Sequence, residues 1–269
     1  MKYKHELQIA LEAADLAGCL ILDHYARLEP IPDAPASIST DTDRQSQAII
    51  LNHIHNILPE DALRAEESRE AFGDVPDMGA RLWIVDPIDG TRGFARKNGE
   101  FSVMVAFVDA GRVVVGVVAE PAHRRLTYAV RGGGCWQRDD VSANPARCHV
   151  TSTRQLQTAT VVQSHSRKPA EPSPALKALS PSRVIETYSA GIKLAIVARG
   201  EADLYLNTYD ACHDWDICAG QILVEEAGGR VTNLVGDEPR YGLPGAVQPH
   251  GLLGSNGLLH RAALAAIAM

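Results

Sequence analysis

The stretch Trp83-Ile84-Val85-Asp86-Pro87-Ile88-Asp89-Gly90-Thr91 constrains what this chain can fold into more than any other. The apolar run Leu82 to Val85 reads as a strand and leads straight into two acids three residues apart. Pro87 fixes its own backbone and Gly90 admits conformations closed to other residues, so the spacing predicts a tight turn at the strand's end. In such a turn Asp86 and Asp89 can aim at one point while the amides of Gly90 and Thr91 stay free, an anion nest beside a cation site. The layout suits Mg²⁺, which takes about six oxygens shared among carboxylates, water and a substrate phosphate. Taken alone, an ordinary capped turn is the competing reading.

Two further acidic pieces flank this one. Ala65-Glu66-Glu67-Ser68 lies upstream, and its adjacent acids have no Lys or Arg at i+4 to explain them as helix salt-bridge design. A solvated surface pair is the ordinary alternative. Downstream, His213-Asp214-Trp215-Asp216-Ile217-Cys218-Ala219-Gly220 sets an acid at the start of an apolar helix, where a simple cap is the ordinary role. Asp210, Asp214 and Asp216 crowd that segment, and cations would relieve the repulsion among whichever carboxylates face inward. His213 reads as a structural histidine rather than a ligand, because magnesium prefers oxygen donors.

Bulk properties narrow the classes of function. A chain of 269 residues allows one large domain or two closely packed halves. Apolar residues at 45% and charged residues at 22% exclude a disordered chain. With a net charge of -7 and scattered Lys and Arg, no dense basic stripe is available for a nucleic-acid polymer. An acidic protein can still take anionic substrates if metal ions supply the local positive charge. The five cysteines include no CxxC pair, so reduced thiols are expected rather than a disulfide framework or a structural zinc site. No apolar run approaches the ~20 residues of a membrane span, and Met1 to Glu12 lacks the apolar core of a signal peptide, so a cytoplasmic protein is expected.

Along the chain, Leu7 to Tyr25 carries apolar residues at helical spacing and predicts an amphipathic helix. Leu28 to Ser39 contains three prolines, which predicts a mobile surface segment. A second helix is expected from Asp43 to about Leu58, capped by Asp41 or Thr42. Leu82 to Val85, Phe101 to Val108, Val113 to Ala119 and Leu126 to Val130 predict an antiparallel meander. After Pro145 strands and helices alternate: strands over Thr160 to Gln163, Val184 to Glu186 and Ala202 to Leu206, and helices over Ile192 to Ala198 and Ile217 to Ala227. The expected organisation is an α+β half over residues 1–150, with most of the acids, and an α/β half over residues 151–269.

In order and spacing, the acidic pieces resemble the signatures of the inositol monophosphatase superfamily: an EES motif, DPIDGT and WDxxAG. Thr40-Asp41-Thr42-Asp43 is similar to the family's T-x-x-D segment, Gly228-Gly229 matches its glycines after the last motif, and the likeness covers nearly the whole chain. The resemblance implies an α+β fold, a five-layered αβαβα sandwich, and a lithium-sensitive, magnesium-dependent phosphatase with two or three ions. It implies metal ligation by Glu66, Asp86, Asp89, Asp216 and the carbonyl of Ile88, with Glu67 one step outside. Thr91 and Glu66 would activate the attacking water, Asp43 would orient water around a weaker metal, and Asp89, Gly90, Thr91 and Asp216 would contact the substrate. Family members are often dimers, so the resemblance admits a homodimer.

Asn98-Gly99-Glu100-Phe101-Ser102-Val103 looks like the 3'(2'),5'-bisphosphate nucleotidase branch, as do Ser164-His165-Ser166-Arg167 and Gly191-Ile192-Lys193. That branch implies hydrolysis of adenosine 3',5'-bisphosphate to AMP, a small phosphorylated metabolite, with Arg92, Arg96, Lys97 or Arg167 helping to hold a doubly charged substrate. A solvated loop is the competing reading of those basic residues. Two departures stand out: the family's Lys before T-x-x-D is absent from Leu28 to Ser39, and Ser189-Ala190-Gly191 replaces the nucleotidases' Gly-Ser-Ser. The alternatives are an inositol or other sugar or polyol monophosphatase, acting for example on histidinol phosphate or fructose 1,6-bisphosphate, and a metabolite-binding protein without turnover.

Overall fold

In the computed structural model, which describes residues 2–35, 37–68, 70–139, 144–165, 171–210 and 212–268, the first helix buries the centre of the stripe that its spacing predicts and leaves Leu7, Leu11 and Leu20 half-buried. This helix, α1 (Lys4–Arg27), buries Ala10, Ala14, Ala17 and Ile21, joined by Ile9 and Ala13. Its small residues let α2 (Asp41–Ile57) lie close against it. The cap of α2 differs from the expectation of Asp41 or Thr42. Thr40 is extended, its hydroxyl accepts from the Thr42 amide at 3.2 Å, and Asp43 accepts from the Thr40 amide at 2.9 Å. Such a capping box satisfies amides that have no intrahelical partner. The proline-containing segment between the helices is tied down: the Ile31 amide donates to the Ala95 carbonyl at 2.8 Å and Ala34 is fully buried.

Both helices cover one face of a seven-stranded sheet whose order follows the chain, β1 (Ala62–Ala65) to β7 (Ala146–Arg147). Between them come β2 (Arg81–Asp89), β3 (Ser102–Asp109), β4 (Arg112–Glu120), β5 (Arg125–Val130) and β6 (Gly134–Asp139). The pairing of β1 with β2 is parallel and every later pairing antiparallel, so the predicted meander is present with an added strand on one side and two on the other. The expected end of β2 at Val85 is corrected: it runs on through Asp89 and passes directly into a short helix, α3 (Thr91–Ala95).

A second, five-stranded sheet has the order β12 (Arg230–Thr232), β14 (Leu252–Ser255), β10 (Leu204–Asn207), β8 (Thr160–Gln163), β9 (Arg183–Glu186). The strands β8, β9 and β10 run parallel, while β14 is antiparallel to both of its neighbours. A two-residue pairing of β11 (Cys212–His213) with β13 (Val247–Gln248) closes the loop before β14. The helices α5 (Ala190–Ala198) and α6 (Asp214–Glu226) pack between the two sheets, and α4 (Pro174–Leu179) and α7 (His260–Ile267) cover the far side of the second.

Three apolar cores fill the four interfaces between the resulting five layers, the middle one lying on both sides of α5 and α6. Ile50, Leu51, Trp83, Phe101 and Phe107 belong to the first, Met104, Leu194, Ile222 and Tyr205 to the middle one, and Val161, Leu176, Leu206 and Leu253 to the outer one. Each large side chain buried there contributes roughly 1.5–3 kcal/mol relative to exposure. All five cysteines are free thiols. Among the described residues, no helix is long and apolar enough to cross a membrane.

The outer core holds a buried histidine that sets an acid limit on stability. His260 is 2% exposed, with Nε2 at 2.9 Å from the Thr232 hydroxyl and Nδ1 at 2.8 Å from the Ser255 hydroxyl. Burial, with Arg230 nearby, lowers its pKa from 6.5 to about 4. Between those values the unfolded chain takes up a proton that the folded chain refuses. This contribution is therefore complete above the unfolded pKa and is lost as pH falls through the window, by roughly 2–3 kcal/mol at about pH 4.5. Urea melts at about pH 7.5 and about pH 4.5 should show His260→Gln losing less stability on acidification than the parent protein. Equal losses would remove His260 as the cause.

Candidate active site

The register of β2 against β3 explains how two acids three residues apart reach one side of a sheet. Asp86 faces Met104 and Asp89 faces Ser102, so three steps along β2 match two along β3. Side chains alternate along a regular strand, which would send residues three apart to opposite faces. The extra residue restores Asp89 to the side of Asp86. Pro87, with no amide to donate, falls inside this irregularity, and its carbonyl accepts from the Ser46 hydroxyl of α2 at 3.0 Å. Gly90 follows at φ 85°, and a side chain there would meet the Glu100 carbonyl at 2.7 Å.

The other acids arrive from different elements. Parallel pairing sets Ala65 beside Val85, and the next amide, that of Glu66, donates to the Val85 carbonyl at 3.3 Å. This brings Glu66 level with Asp86. Gln47 of α2 pins the following residue, accepting from the Glu67 amide at 2.9 Å and donating to the Glu67 carbonyl at 3.0 Å. The Glu67 carboxylate accepts from Ser39 at 2.6 Å. Asp216 sits in the first turn of α6 and accepts from the His213 amide at 2.6 Å, so it caps the helix and joins the cluster at once. One oxygen each from Asp86, Asp89 and Asp216 lie within 4.8 Å of one another, and with Glu66, Ile88, Gly90 and Thr91 these residues line a cavity of about 440 Å³.

So many acids in one place hold protons tightly. Glu66 keeps an exposed side, yet desolvation of its carboxyl among the neighbouring acids, then the charges of Asp216 and Asp89, push it up to about 8. Burial and Glu66 raise Asp86 far above the usual carboxylate range, and burial raises Asp89 although Lys193 opposes it. Oδ1 of Asp86 is buried without a hydrogen-bond partner. Buried polar atoms are nearly always paired. An all-oxygen set of carboxylates with an orphaned acceptor fits a hard divalent cation, which would both partner that oxygen and cancel the repulsion.

Asp43 and Thr91 form a second unit on the α2 side. The Thr91 hydroxyl lies 2.9 Å from Oδ1 of Asp43 and 3.0 Å from the Ile88 carbonyl, while Oδ2 of Asp43 accepts from the Thr40 amide and hydroxyl. Burial raises the Asp43 pKa. As the first residue of α3, Thr91 has an amide without an intrahelical acceptor.

Across the cavity stands a wall that the local motifs do not announce. Ser189 caps α5, accepting from the Ile192 amide at 2.9 Å, and its hydroxyl lies 2.5 Å from Oδ2 of Asp89. The Gly191 amide donates to the same oxygen at 2.6 Å. A side chain at Gly191 would strike the Ser102 hydroxyl at 2.6 Å and the Met104 sulfur at 2.8 Å. Lys193 is buried, with its pKa lowered to about 8 by burial, and donates to the carbonyls of Thr187 and Tyr188 at 3.0 and 2.8 Å. Their signal in the sequence is the departure from Gly-Ser-Ser. The small residues there meet Asp89 of the acid cluster.

The structure sorts the acids and basic residues that the sequence left open. Asp214 does not face the cluster but pairs with Arg64 at 2.6 Å, and Asp210 is exposed, so Asp216 alone of the three acids joins it. Arg96 donates to the Tyr188 hydroxyl at 2.6 Å, and Lys97 donates to the carbonyls of Ala26 and Leu28. Neither lines the cavity, whereas Arg92 does. Ser166 and Arg167 lie outside the described residues. His213 stacks on Trp215 with ring centroids 4.6 Å apart, in keeping with a structural role.

Comparison with known proteins agrees with this fold over nearly the full length. The model of the inositol monophosphatase family matches residues 3–268. The histidinol-phosphatase of Mycobacterium tuberculosis is 31% identical over 262 residues, covering 95% of this chain and 95% of that protein. The 3'(2'),5'-bisphosphate nucleotidase CysQ of Escherichia coli is 29% identical over 237 residues, covering 87% of this chain and 91% of CysQ. The solved structure of an IMPase from Thermotoga maritima superposes with a TM-score of 0.81 at 27% identity, covering 98% of this chain and 97% of that one. The chain thus belongs to the inositol monophosphatase family, and with it to the metal-dependent phosphoric monoester hydrolases.

Proposed function

We propose that this protein hydrolyses adenosine 3',5'-bisphosphate to AMP and phosphate with magnesium as its cofactor. The observation that carries the substrate is Asn98–Val103, whose sequence is similar to the nucleotidase branch and whose side chains tie the acid cluster to the wall. Ser102 lies 3.4 Å from Asp89, while the Glu100 carboxylate takes His165 Nε2 at 2.7 Å and the Tyr188 amide at 3.2 Å. The relationship to CysQ supports the same reading.

In this reading Glu66, Asp86, Asp89, Asp216 and the Ile88 carbonyl would hold the cations. Bound magnesium supplies positive charge to the phosphoryl oxygens and lowers the pKa of water. The Gly90 and Thr91 amides, free of intrahelical acceptors, would take phosphate oxygens at the start of α3. Thr91, donating its proton to Asp43, keeps its lone pairs for the attacking water, and Glu66, ionised once cations offset the cluster's repulsion, would accept that water's proton. No side chain needs to act as nucleophile.

A second reading, a polyol or histidinol monophosphatase, is supported by the relationship to the histidinol-phosphatase and by Ser189-Ala190-Gly191 in the wall. A panel assay with magnesium separates them. Phosphate release should be fastest from adenosine 3',5'-bisphosphate. Release from inositol 1-phosphate or histidinol phosphate, and none from the nucleotide, overturns the first reading.

A further inference from the structure

We propose that Arg92 reads a second anionic group on the substrate, one that is not hydrolysed, so that the enzyme selects phosphate monoesters carrying two separated negative groups. The inference rests on the phosphatase reading of this site. It does not depend on whether the body between the two groups is a nucleoside or a sugar.

Arg92 follows Thr91 directly on α3, and successive helical side chains project about 100° apart. Thr91 turns to Asp43 on the α2 side, whereas the Arg92 guanidinium carbon lies 5.4 Å from the centroid of the Tyr188 ring on the opposite wall. Arg92 therefore stands on the side that the body of a substrate would occupy, away from the amides and acids that surround the reacting phosphate. The cavity, about 440 Å³, has room for a body of nucleotide size.

The described residues satisfy this guanidinium only in part. Its Nε is buried without a hydrogen-bond partner, and it forms no ion pair with a described residue. Among the described residues that line the cavity it is the one Lys or Arg. Arg96, one turn later, also lies against Tyr188, at 5.8 Å from the ring centroid. Two like charges at this spacing oppose each other. The aromatic face holds them there, and an anion received by Arg92 would relieve the repulsion and supply the missing acceptor. A planar fork of this kind suits a phosphate or carboxylate better than a hydroxyl.

The test compares matched pairs of substrates in the magnesium-loaded enzyme: adenosine 3',5'-bisphosphate against adenosine 3'-monophosphate, and fructose 1,6-bisphosphate against fructose 1-phosphate. The parent enzyme should favour the doubly charged member in kcat/KM. Arg92→Ala should lower that ratio by about 10- to 100-fold, chiefly through KM, and Arg92→Lys should keep part of it. A melting temperature close to the parent's checks that each variant is folded. AMP, which retains the second anion, should raise the parent's melting temperature more than adenosine does, and the gap should close in Arg92→Ala. A parent enzyme indifferent to the second phosphate overturns the proposal. So does an Arg92→Ala variant that loses kcat equally on both members of a pair, because Arg92 would then serve the reacting phosphate. If only the sugar pair is turned over, the nucleotide reading falls and the sugar ratio decides the role of Arg92.

Discussion

Asp89→Asn should lower kcat by about two orders of magnitude or more, while the metal-free protein melts no lower than the parent. Loss of a group that merely orients a metal ligand costs about 10- to 100-fold, and Asp89 is read as a ligand itself. Its Oδ2 takes the Ser189 hydroxyl and the Gly191 amide at 2.5 and 2.6 Å. The amide oxygen of Asn can accept both bonds, which turns the new NH₂ group toward the cations it must repel. Without metal, the same substitution removes one buried carboxylate from a cluster whose members raise one another's pKa values, so the fold gains or loses little. Steady-state kinetics across a magnesium series together with a metal-free thermal melt check both halves. Near-parental turnover would remove Asp89 from the site.

Arg64→Ala should cost about 3–5 kcal/mol, a drop in melting temperature of roughly 6–15 °C, and should raise the magnesium concentration needed for half-maximal activity. The side chains of Arg64 and Asp214 are 5% and 1% exposed, and Arg64 also donates to the Leu243 carbonyl at 2.9 Å. Truncating the arginine leaves a buried carboxylate supported, among the described residues, only by Gln248 at 2.7 Å and the Gly242 amide at 3.3 Å. The pair also joins β1, which carries the chain into Glu66, to the first turn of α6, which carries Asp216. Its loss should therefore loosen the spacing of two cluster acids that are remote in sequence. A variant that melts with the parent would mean the pair contributes no more than a surface one.

The legible parts of this protein are those where the chemistry is local. The strand into Asp86-Pro87-Ile88-Asp89-Gly90-Thr91, the helix beginning near Asp216 and the stripe of α1 each carry their information within a few residues. The bulge was hidden because a proline between two acids suits a free turn as well as an interrupted strand, and only the pairing with Ser102 and Met104 decides between them. The short parallel strand Ala62–Ala65 has no alternation to betray it, since it lies within the sheet's cover and three of its four residues are buried. The α2 stripe could have been read further. Asp43, Ser46 and Gln47 continue the buried line of Ile50, Leu51 and Ile54, and a polar start to an apolar stripe marks where the helix leaves the core for the site.

The wall was beyond reach for a different reason. Ser189 and Gly191 meet Asp89 across about a hundred residues of chain, and only the stacking of α5 between the two sheets brings them together. Arg64 and Asp214 are likewise 150 residues apart. By local composition alone Asp214 reads like Asp216, and in the sequence only the likeness to WDxxAG sets the two apart. What separates them is which side of the first turn of α6 meets β1 and which meets the cavity. The basic residues after Thr91 divided in the same way: Lys97 went to the carbonyls that end α1, Arg96 to a tyrosine hydroxyl, and Arg92 to the cavity.

The most direct test of the cation-binding cluster is anomalous diffraction from crystals of the protein soaked in Mn²⁺, which accepts the oxygen ligands that suit Mg²⁺. Anomalous peaks should appear bounded by Asp86, Asp89, Asp216 and Glu66, with the Ile88 carbonyl among the ligands and Asp214 still on Arg64. Peaks confined to other acids, or Glu66 and Asp216 turned away from Asp86 in the soaked crystal, would contradict that assignment.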